Sequence, residues 1–313
     1  MDSLYVMGAG GIGLLLQLLI SKNDRCTLIG RESTKTCFKD SRLIVEGALE
    51  ESIDVDCVTV LDLDQVNENS IIFLATKAQD LKPALTELAP SLREDSLVVL
   101  CQNGIGIFEE AQKEFPHLKL LRLHCWMGVQ RVEINKIRFA GAFKFDLAAK
   151  QSEAKNAQED LLRVASYLER TSINLDCGWN PELSEWKKAL WNIAVNGLLS
   201  IVDARNGAIL DYPELKSIAR GLLEEAQSVA VNSGIPIEAD DLEQVFKSLE
   251  KTRENFNATL QDLRHGKHPE IEYLNGAVVK RAKEHDQIAP LNETIVNLIS
   301  YLEKVEARRE IVK

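Results

Sequence analysis

The stretch that most restricts the fold stands at the start: "SLYVMGAGGIGLLLQLLISKNDRCTLIGRES". Gly8, Gly10 and Gly13 spell G-x-G-x-x-G between a strand-like apolar run at 3–8 and a helix-like run at 11–21, and a second strand-like run follows at 26–30. In a strand–turn–helix each glycine has its own task. The first permits the tight turn, the second lets the backbone approach a pyrophosphate, and the third lets helix and strand pack closely. The helix start adds free N–H groups and the positive end of its dipole. Alone, the pattern also occurs in glycine-rich structural turns; its place between two strand signals is what points to a phosphate cradle. Gly8, Ala9, Gly10, Gly11, Ile12 and Gly13 are therefore expected to hold a dinucleotide.

The second run bears on which dinucleotide. A site for NAD places Asp or Glu at the end of this strand, on the ribose 2′-hydroxyl. Here the run ends in Gly30 and is followed by Arg31. A guanidinium suits a 2′-phosphate, which it can hold through two hydrogen bonds. The expected cofactor is NADP(H), with Arg31 as a contact and the neighbouring Glu32 as the rival determinant.

The 313 residues suit two domains. The first half alternates strand and helix: further short apolar runs lie at 70–75 and 96–101, with helix-like segments at 79–92 and 107–114. Such alternation gives βαβ units and a doubly wound parallel sheet. From 118 to 147, "LKLLRLHC", "KIRFAG" and "AFKFDLA" read as strands separated by turns; a charged helix follows at 152–170, then the strand-like "SINLDC". Beyond Cys177 the rest reads as helices at about 181–204, 212–233, 238–265, 270–285 and 289–306. The expected domains are 1–178 and 179–313.

The net charge of −11 works against nucleic acid and anionic membranes, so any anionic ligand needs a local basic site. The longest early apolar run, "IGLLLQLLI", has nine residues, against about 20 for a membrane span. No basic residue precedes it, so a cytoplasmic protein is expected rather than a secreted one. None of the six cysteines is spaced as C-x-x-C, which leaves no reason to expect a metal or a redox pair.

Ligands of such sheets bind beyond the carboxyl ends of the strands. Lys77 in "LATKAQD" and Asn103 in "LCQNGIG" fall there, although taken singly they read as a solvated lysine and a turn-forming Asn-Gly. In "SEWKKALWNIAVNGLLSIVDARNG", Lys188, Asn192 and Asn196 recur at i, i+4 and i+8 and share one face of an otherwise apolar helix. Polar groups so placed need partners or a wet cleft, where a desolvated lysine could act as a general acid; the plainer alternative is that Lys188 is a solvated residue beside Lys187.

In order along the chain, the glycine cluster, "GR" at 30–31, "TKA" at 76–78, "QNGIG" at 102–106, "WKKALWN" at 186–192, "RNG" at 205–207 and "ENFNATLQDLRHGKHPEIEYLNG" at 254–276 resemble the ketopantoate reductases. The resemblance spans nearly the whole chain. It implies an N-terminal Rossmann-type domain, a C-terminal all-helical domain, and a site in the cleft between them. It also implies reduction of 2-dehydropantoate to pantoate with NADPH, in the pathway to pantothenate. Carried over by position, Lys188 matches the general acid, and Glu270 an acidic residue that touches substrate, lysine and cofactor. Asn103, Asn192 and Asn206 match polar cleft residues, Asn103 also on the cofactor side, and Asn255 matches a further substrate contact; Asn196, on the same helix face as Asn192, and Asn257, beside Ala258, are further candidates for substrate binding. Arg31 and Lys77 match cofactor contacts.

The chain departs from this pattern where Ala258 stands in place of a substrate-binding Ser, in "GLLSIVDA" after Asn196, and at 124–147. These departures keep two alternatives in view: a related reductase of another 2-keto acid or β-keto compound, and a non-catalytic NADP-binding protein. The second has no use for both Lys188 and Glu270. A homo-oligomer is left open by the sequence.

Overall fold

Strands made only of apolar residues must be covered on both faces, and such strands take the middle of the sheet. The computed structural model describes residues 2–62, 69–150 and 156–311. Its strands are β1 (Ser3–Met7), β2 (Cys26–Ile29), β3 (Leu43–Gly47), β4 (Glu51–Ile53), β5 (Asp56–Val58), β6 (Ser70–Leu74), β7 (Leu97–Leu100), β8 (Lys119–Glu133), β9 (Lys136–Ala148) and β10 (Leu175–Gly178). The sheet order is β4-β3-β9-β8-β7-β6-β1-β2-β5, with β10 added on β9. β6 and β7 are buried along their whole lengths. Pairing is parallel from β8 through β7, β6, β1 and β2 to β5; β8 and β9 form a long antiparallel pair.

The register decides where a ligand can sit. Met7 stands opposite both Ile29 and Leu74, and Leu74 opposite Leu100, so the carboxyl ends of β1, β2, β6 and β7 are level. Residues 8, 30, 75 and 101 therefore lie along one edge.

The helices of this half are α1 (Gly11–Ser21), α2 (Glu32–Asp40), α3 (Leu81–Leu88), α4 (Ile107–Glu114) and α5 (Asn156–Leu168). The rest of the chain is helical: α6 (Pro181–Ile201), α7 (Ala208–Asp211), α8 (Pro213–Asn232), α9 (Ala239–Leu249), α10 (Ala258–Arg264), α11 (Asn275–Glu284) and α12 (Pro290–Ile311). Pro213 and Pro290 open their helices, where the missing N–H costs nothing. No described helix is long and apolar enough to cross a membrane.

Two compact units emerge. One comprises residues 1–102 and 107–184; the other comprises 103–106 and 185–313. The division falls in the first turn of α6, a few residues past the change in composition at 178–179. The Ser184 hydroxyl donates to Asp146 on β9 at 2.9 Å, which holds that turn to the sheet. The short loop 103–106 goes with the helices because its N–H groups are spent there: Ile105 donates to the Tyr273 carbonyl at 2.9 Å and Gly106 to the Glu185 carboxylate at 2.8 Å.

Three expectations need correction. "KIRFAG" and "AFKFDLA" are one strand, β9. Gly141, at φ +124°, absorbs an irregularity in the pairing with β8 instead of making a turn. The helix expected over 238–265 is two, α9 and α10. Between them the Arg253 and Asn255 carbonyls accept N–H groups from Gly207 and Asn206, and the Asn257 side chain caps α10. The helix expected at 270–285 is a single turn, Ile271–Tyr273, and then α11, parted at Leu274.

The tightest packing concerns α1. A Cβ on Gly13 would lie 1.9 Å from the Gly8 carbonyl oxygen, an atom that cannot give way. Gly13→Ala is expected to lower the unfolding free energy by about 1–3 kcal/mol, the usual cost of overpacking. Urea denaturation followed by circular dichroism measures it; unchanged stability would show that α1 can lift off β1.

Candidate functional site

In the sheet-bearing unit the glycine turn forms a cradle. Gly8 has φ +112°, and a Cβ there would meet the Ala75 carbonyl oxygen at 2.8 Å. Its N–H donates to Ile29 at 3.0 Å and the Ala75 N–H to Met7 at 2.8 Å, so the ends of β1, β2 and β6 are tied together. A Cβ on Gly10 would have nothing nearer than 3.9 Å, leaving open space beside the start of α1. That start has no side-chain cap and no acidic residue in its first turn. Unsatisfied N–H groups, a positive dipole end and bare glycines suit a pyrophosphate. Ala9 and Ile12 are half-buried on the turn, and Gly11 packs against Val129.

Arg31 follows β2 after Gly30, is exposed, and takes the position before the first residue of α2. Lys77 holds the equivalent position past β6, before the turn Ala78–Asp80. Gln102, buried at the end of β7, donates to the Leu74 carbonyl at 2.9 Å and to the Thr76 hydroxyl at 3.3 Å, fixing the chain that leads to Lys77.

The helical unit gathers the polar residues. Lys188, Asn192 and Asn196 do lie on one helix, α6, and Asn192 and Asn196 are only 7% and 4% exposed. Asn206 is joined to Asn255 by a backbone hydrogen bond of 3.0 Å. Asn257, 3% exposed, caps α10 by accepting the Leu260 N–H at 2.9 Å, and accepts the Ser200 hydroxyl of α6 at 3.1 Å. Glu270 precedes the Ile271–Tyr273 turn and is half-buried. Asn103 belongs to this unit through its loop. That loop is pinned to Glu185, one turn before Lys188, and to Tyr273, three residues past Glu270.

Among the described residues, Asn192 Nδ2, Asn196 Oδ1, Asn206 Oδ1 and Asn257 Nδ2 are buried with no hydrogen-bond partner. Each such atom costs about 1–3 kcal/mol when left unmade. All four lie in the helical unit, as do Asn275 Oδ1 and Arg253 Nε.

The sequence reading missed several members of this framework. Glu185 is 1% exposed and Ser200 5%. Both continue the polar face of α6, and their spacing from Lys188 is the signal that would have found them. Arg122 is fully buried on β8 and donates to the Leu100 and Gln102 carbonyls at 2.7 and 2.5 Å, covering the end of β7. Burial pushes the Asp146 carboxyl up, and the Ser184 hydroxyl partly offsets this. Burial also pushes the Cys26 thiol up to about 12, as suits a small hydrophobe in a core strand. Among the described residues no group of three His, Cys, Asp or Glu is placed to bind a metal.

Comparison with known proteins adds to this geometry. Residues 4–151 match the family described as Ketopantoate reductase PanE/ApbA, and residues 180–303 match its C-terminal counterpart. The chain is similar to a 2-dehydropantoate 2-reductase of Pyrococcus horikoshii, 29% identical over 303 residues, covering 96% of this chain and 98% of that one. A PanE/ApbA family ketopantoate reductase from Ralstonia eutropha JMP134 superposes with a TM-score of 0.86 at 20% identity, over 97% of this chain and 99% of that one. A D-mandelate dehydrogenase, solved in a ternary structure with NADH and anilino(oxo)acetate, gives 0.88 at 20% identity over the same shares. At such identity these two likenesses establish the fold, a sheet-bearing N-terminal unit followed by helices.

Proposed function

The chain belongs to the ketopantoate reductase family, and from that premise we propose that it reduces 2-dehydropantoate to pantoate with NADPH. It is an oxidoreductase acting on a CH–OH or ketone group, as its named relatives are. The observation that carries the substrate reading is the pair of buried, unpartnered amide donors Asn192 Nδ2 and Asn257 Nδ2. A 2-keto acid presents a carboxylate and a carbonyl, both acceptors, and Asn192 Nδ2 and Asn257 Nδ2 are donors.

The glycine cradle from Gly8 to Gly13 suits the pyrophosphate of a nicotinamide dinucleotide, with Lys77 and Arg31 as further contacts. When bound, reduced nicotinamide would supply the hydride that the ketone carbon needs. Lys188 holds a proton on Nζ, stabilises the negative charge that grows on the ketone oxygen, and gives up that proton. Glu270 orients the lysine or accepts from a substrate hydroxyl. Asn103 and Asn255 complete the polar surround, and the neutral amides bind the carboxylate without adding charge.

A second reading, a reductase of another 2-keto acid, is favoured by Ala258. This residue opens α10 and is exposed, where the family pattern has a Ser. Asn257 beside it has its oxygen committed to the cap, so only its Nδ2 is left to take over the contact. NADPH oxidation measured over a panel of 2-keto acids tests both readings, with 2-dehydropantoate expected to give the highest kcat/KM. No turnover with any of them would overturn both.

Lys188→Ala is expected to lower kcat by roughly a hundredfold or more, with the Kd for NADPH unchanged by fluorescence titration. Near-normal turnover would remove Lys188 from its role. Ala258→Ser is expected to lower the KM for 2-dehydropantoate a fewfold, since one neutral hydrogen bond is worth about 1 kcal/mol. A large loss of that activity in steady-state assays would favour the second reading. For the cofactor, Arg31→Ala is expected to weaken NADPH about thirty- to hundredfold, the scale of a hydrogen bond to a charged group, and NADH little. Equal weakening of both, in parallel titrations, would give Arg31 another task.

A further inference from the structure

The carboxyl end of β2 has a second cation close by, and the molecule already holds an anion against it. Lys35 lies one helical turn past Arg31, on the same side of α2. Its ammonium donates to both carboxylate oxygens of Asp62, at 2.9 and 2.8 Å. Asp62 ends the turn that follows β5, and one of its oxygens also accepts the Thr59 N–H at 2.6 Å and the Thr59 hydroxyl at 2.8 Å. β5 runs beside β2 with Val58 opposite Ile29, and the Gly30 N–H donates to the Val58 carbonyl at 2.9 Å. A Cβ on Gly30 would meet Thr34 at 2.9 Å and the Cys57 sulfur at 3.4 Å, so α2 is packed hard against this corner. Lys35 is thus carried by a helix with no freedom to move away, while its four-carbon stem keeps its own.

The charges of the corner do not favour a phosphate as they stand. Lys35 lies beside the carboxylates of Glu32 and Asp62, and Asp56 lies in the same corner, close to Cys57. Lys35 holds the Asp62 carboxyl down to about 2, with help from the Thr59 N–H and hydroxyl, so Asp62 is an anion throughout the physiological range. With Lys35 spent on Asp62, Arg31 alone must meet a dianion. Releasing Lys35 is inexpensive: the pair is about a third exposed on both sides, and exposed pairs contribute little. Thr59 keeps Asp62 satisfied once the lysine has left.

We propose that Lys35 is a second cation for the 2′-phosphate of the dinucleotide, and that Asp62 is the internal anion the phosphate must displace from it. The proposal rests on the NADPH reading. The strength of the Lys35–Asp62 pair then sets how far the protein prefers the phosphorylated cofactor. Asp62 weakens binding of the 2′-phosphate and leaves the unphosphorylated ribose unaffected.

Calorimetric titration of the whole protein with 2′,5′-ADP and with 5′-AMP tests this without turnover. The parent protein is expected to bind 2′,5′-ADP more tightly. Asp62→Asn should tighten 2′,5′-ADP about three- to fivefold, the upper range for an exposed ion pair, and leave 5′-AMP unchanged. Lys35→Ala should weaken 2′,5′-ADP about tenfold, the low end for a hydrogen bond to a charged group, again with 5′-AMP unchanged. In the double variant the gain from Asp62→Asn should vanish. If the parent distinguishes the two probes but Asp62→Asn does not tighten 2′,5′-ADP, or tightens it equally without Lys35, the proposal is overturned and the cofactor reading stands. If the parent binds both probes equally, the cofactor reading itself falls and the proposal with it.

Discussion

One backbone atom sets the geometry of the sheet-bearing half. The Gly8 carbonyl oxygen occupies the space that a side chain on residue 13 would need. Because α1 can approach this closely, its whole length from Gly13 to Ile20 is buried. Gln17 then reaches the Cys26 carbonyl at 2.7 Å and ties the helix to β2 as well as β1. The start of α1 is left level with the strand ends, its first N–H groups pointing past a bare Gly10. The cradle is a consequence of helix–sheet packing, and a residue that spoiled the packing would spoil the cradle with it.

The helical unit is built on the opposite economy. Its longest buried helix, α6, carries asparagines where an alkyl group would pack without penalty. Five unpartnered amide atoms among the described residues of this unit, Asn275 Oδ1 included, at about 1–3 kcal/mol each, weigh against a total stability of roughly 5–15 kcal/mol. Such a cost is sustainable when the working state repays it through a bound polar molecule. The repayment is directional, because an amide donor rewards an acceptor placed in line with it and nothing else. Close packing around the face keeps the amides where they are: Gly197 lets Ile295 of α12 approach to 2.1 Å of where a Cβ would stand.

Periodicity made the central features legible. α1 runs from Gly11 to Ser21 as expected, and the i, i+4, i+8 spacing of Lys188, Asn192 and Asn196 is realised on one helix. Local pattern failed where partners are distant. Glu185 reads as an ordinary charged residue until its carboxylate is seen accepting an N–H from 79 positions away. Asn257 reads as helix interior, whereas it caps α10 and meets Ser200, 57 positions back. The segment 31–62 holds a helix and three short strands whose apolar runs reach at most three residues, Leu43 to Val45, because they lie toward the sheet edge and are only partly covered. Gly141 reads as a turn for the same reason that it serves in a strand: the left-handed backbone suits both.

An acidic chain that takes anionic ligands faces a problem that net charge alone misstates. At physiological salt the field of a surface charge fades over about 8 Å, so the total of −11 matters less than the few groups within a helical turn of the ligand. On the proposed reading the two ligands are met in different ways. The adenosine end is met by mobile cations set among fixed carboxylates, an arrangement whose balance can be tuned by one ion pair. The keto acid is met by neutral amides and a single ammonium. Amide dipoles cannot draw in bulk anions from a distance, and they do not need to be neutralised when the site is empty. On that reading the Lys188 ammonium offers its positive charge where the reaction creates a negative one.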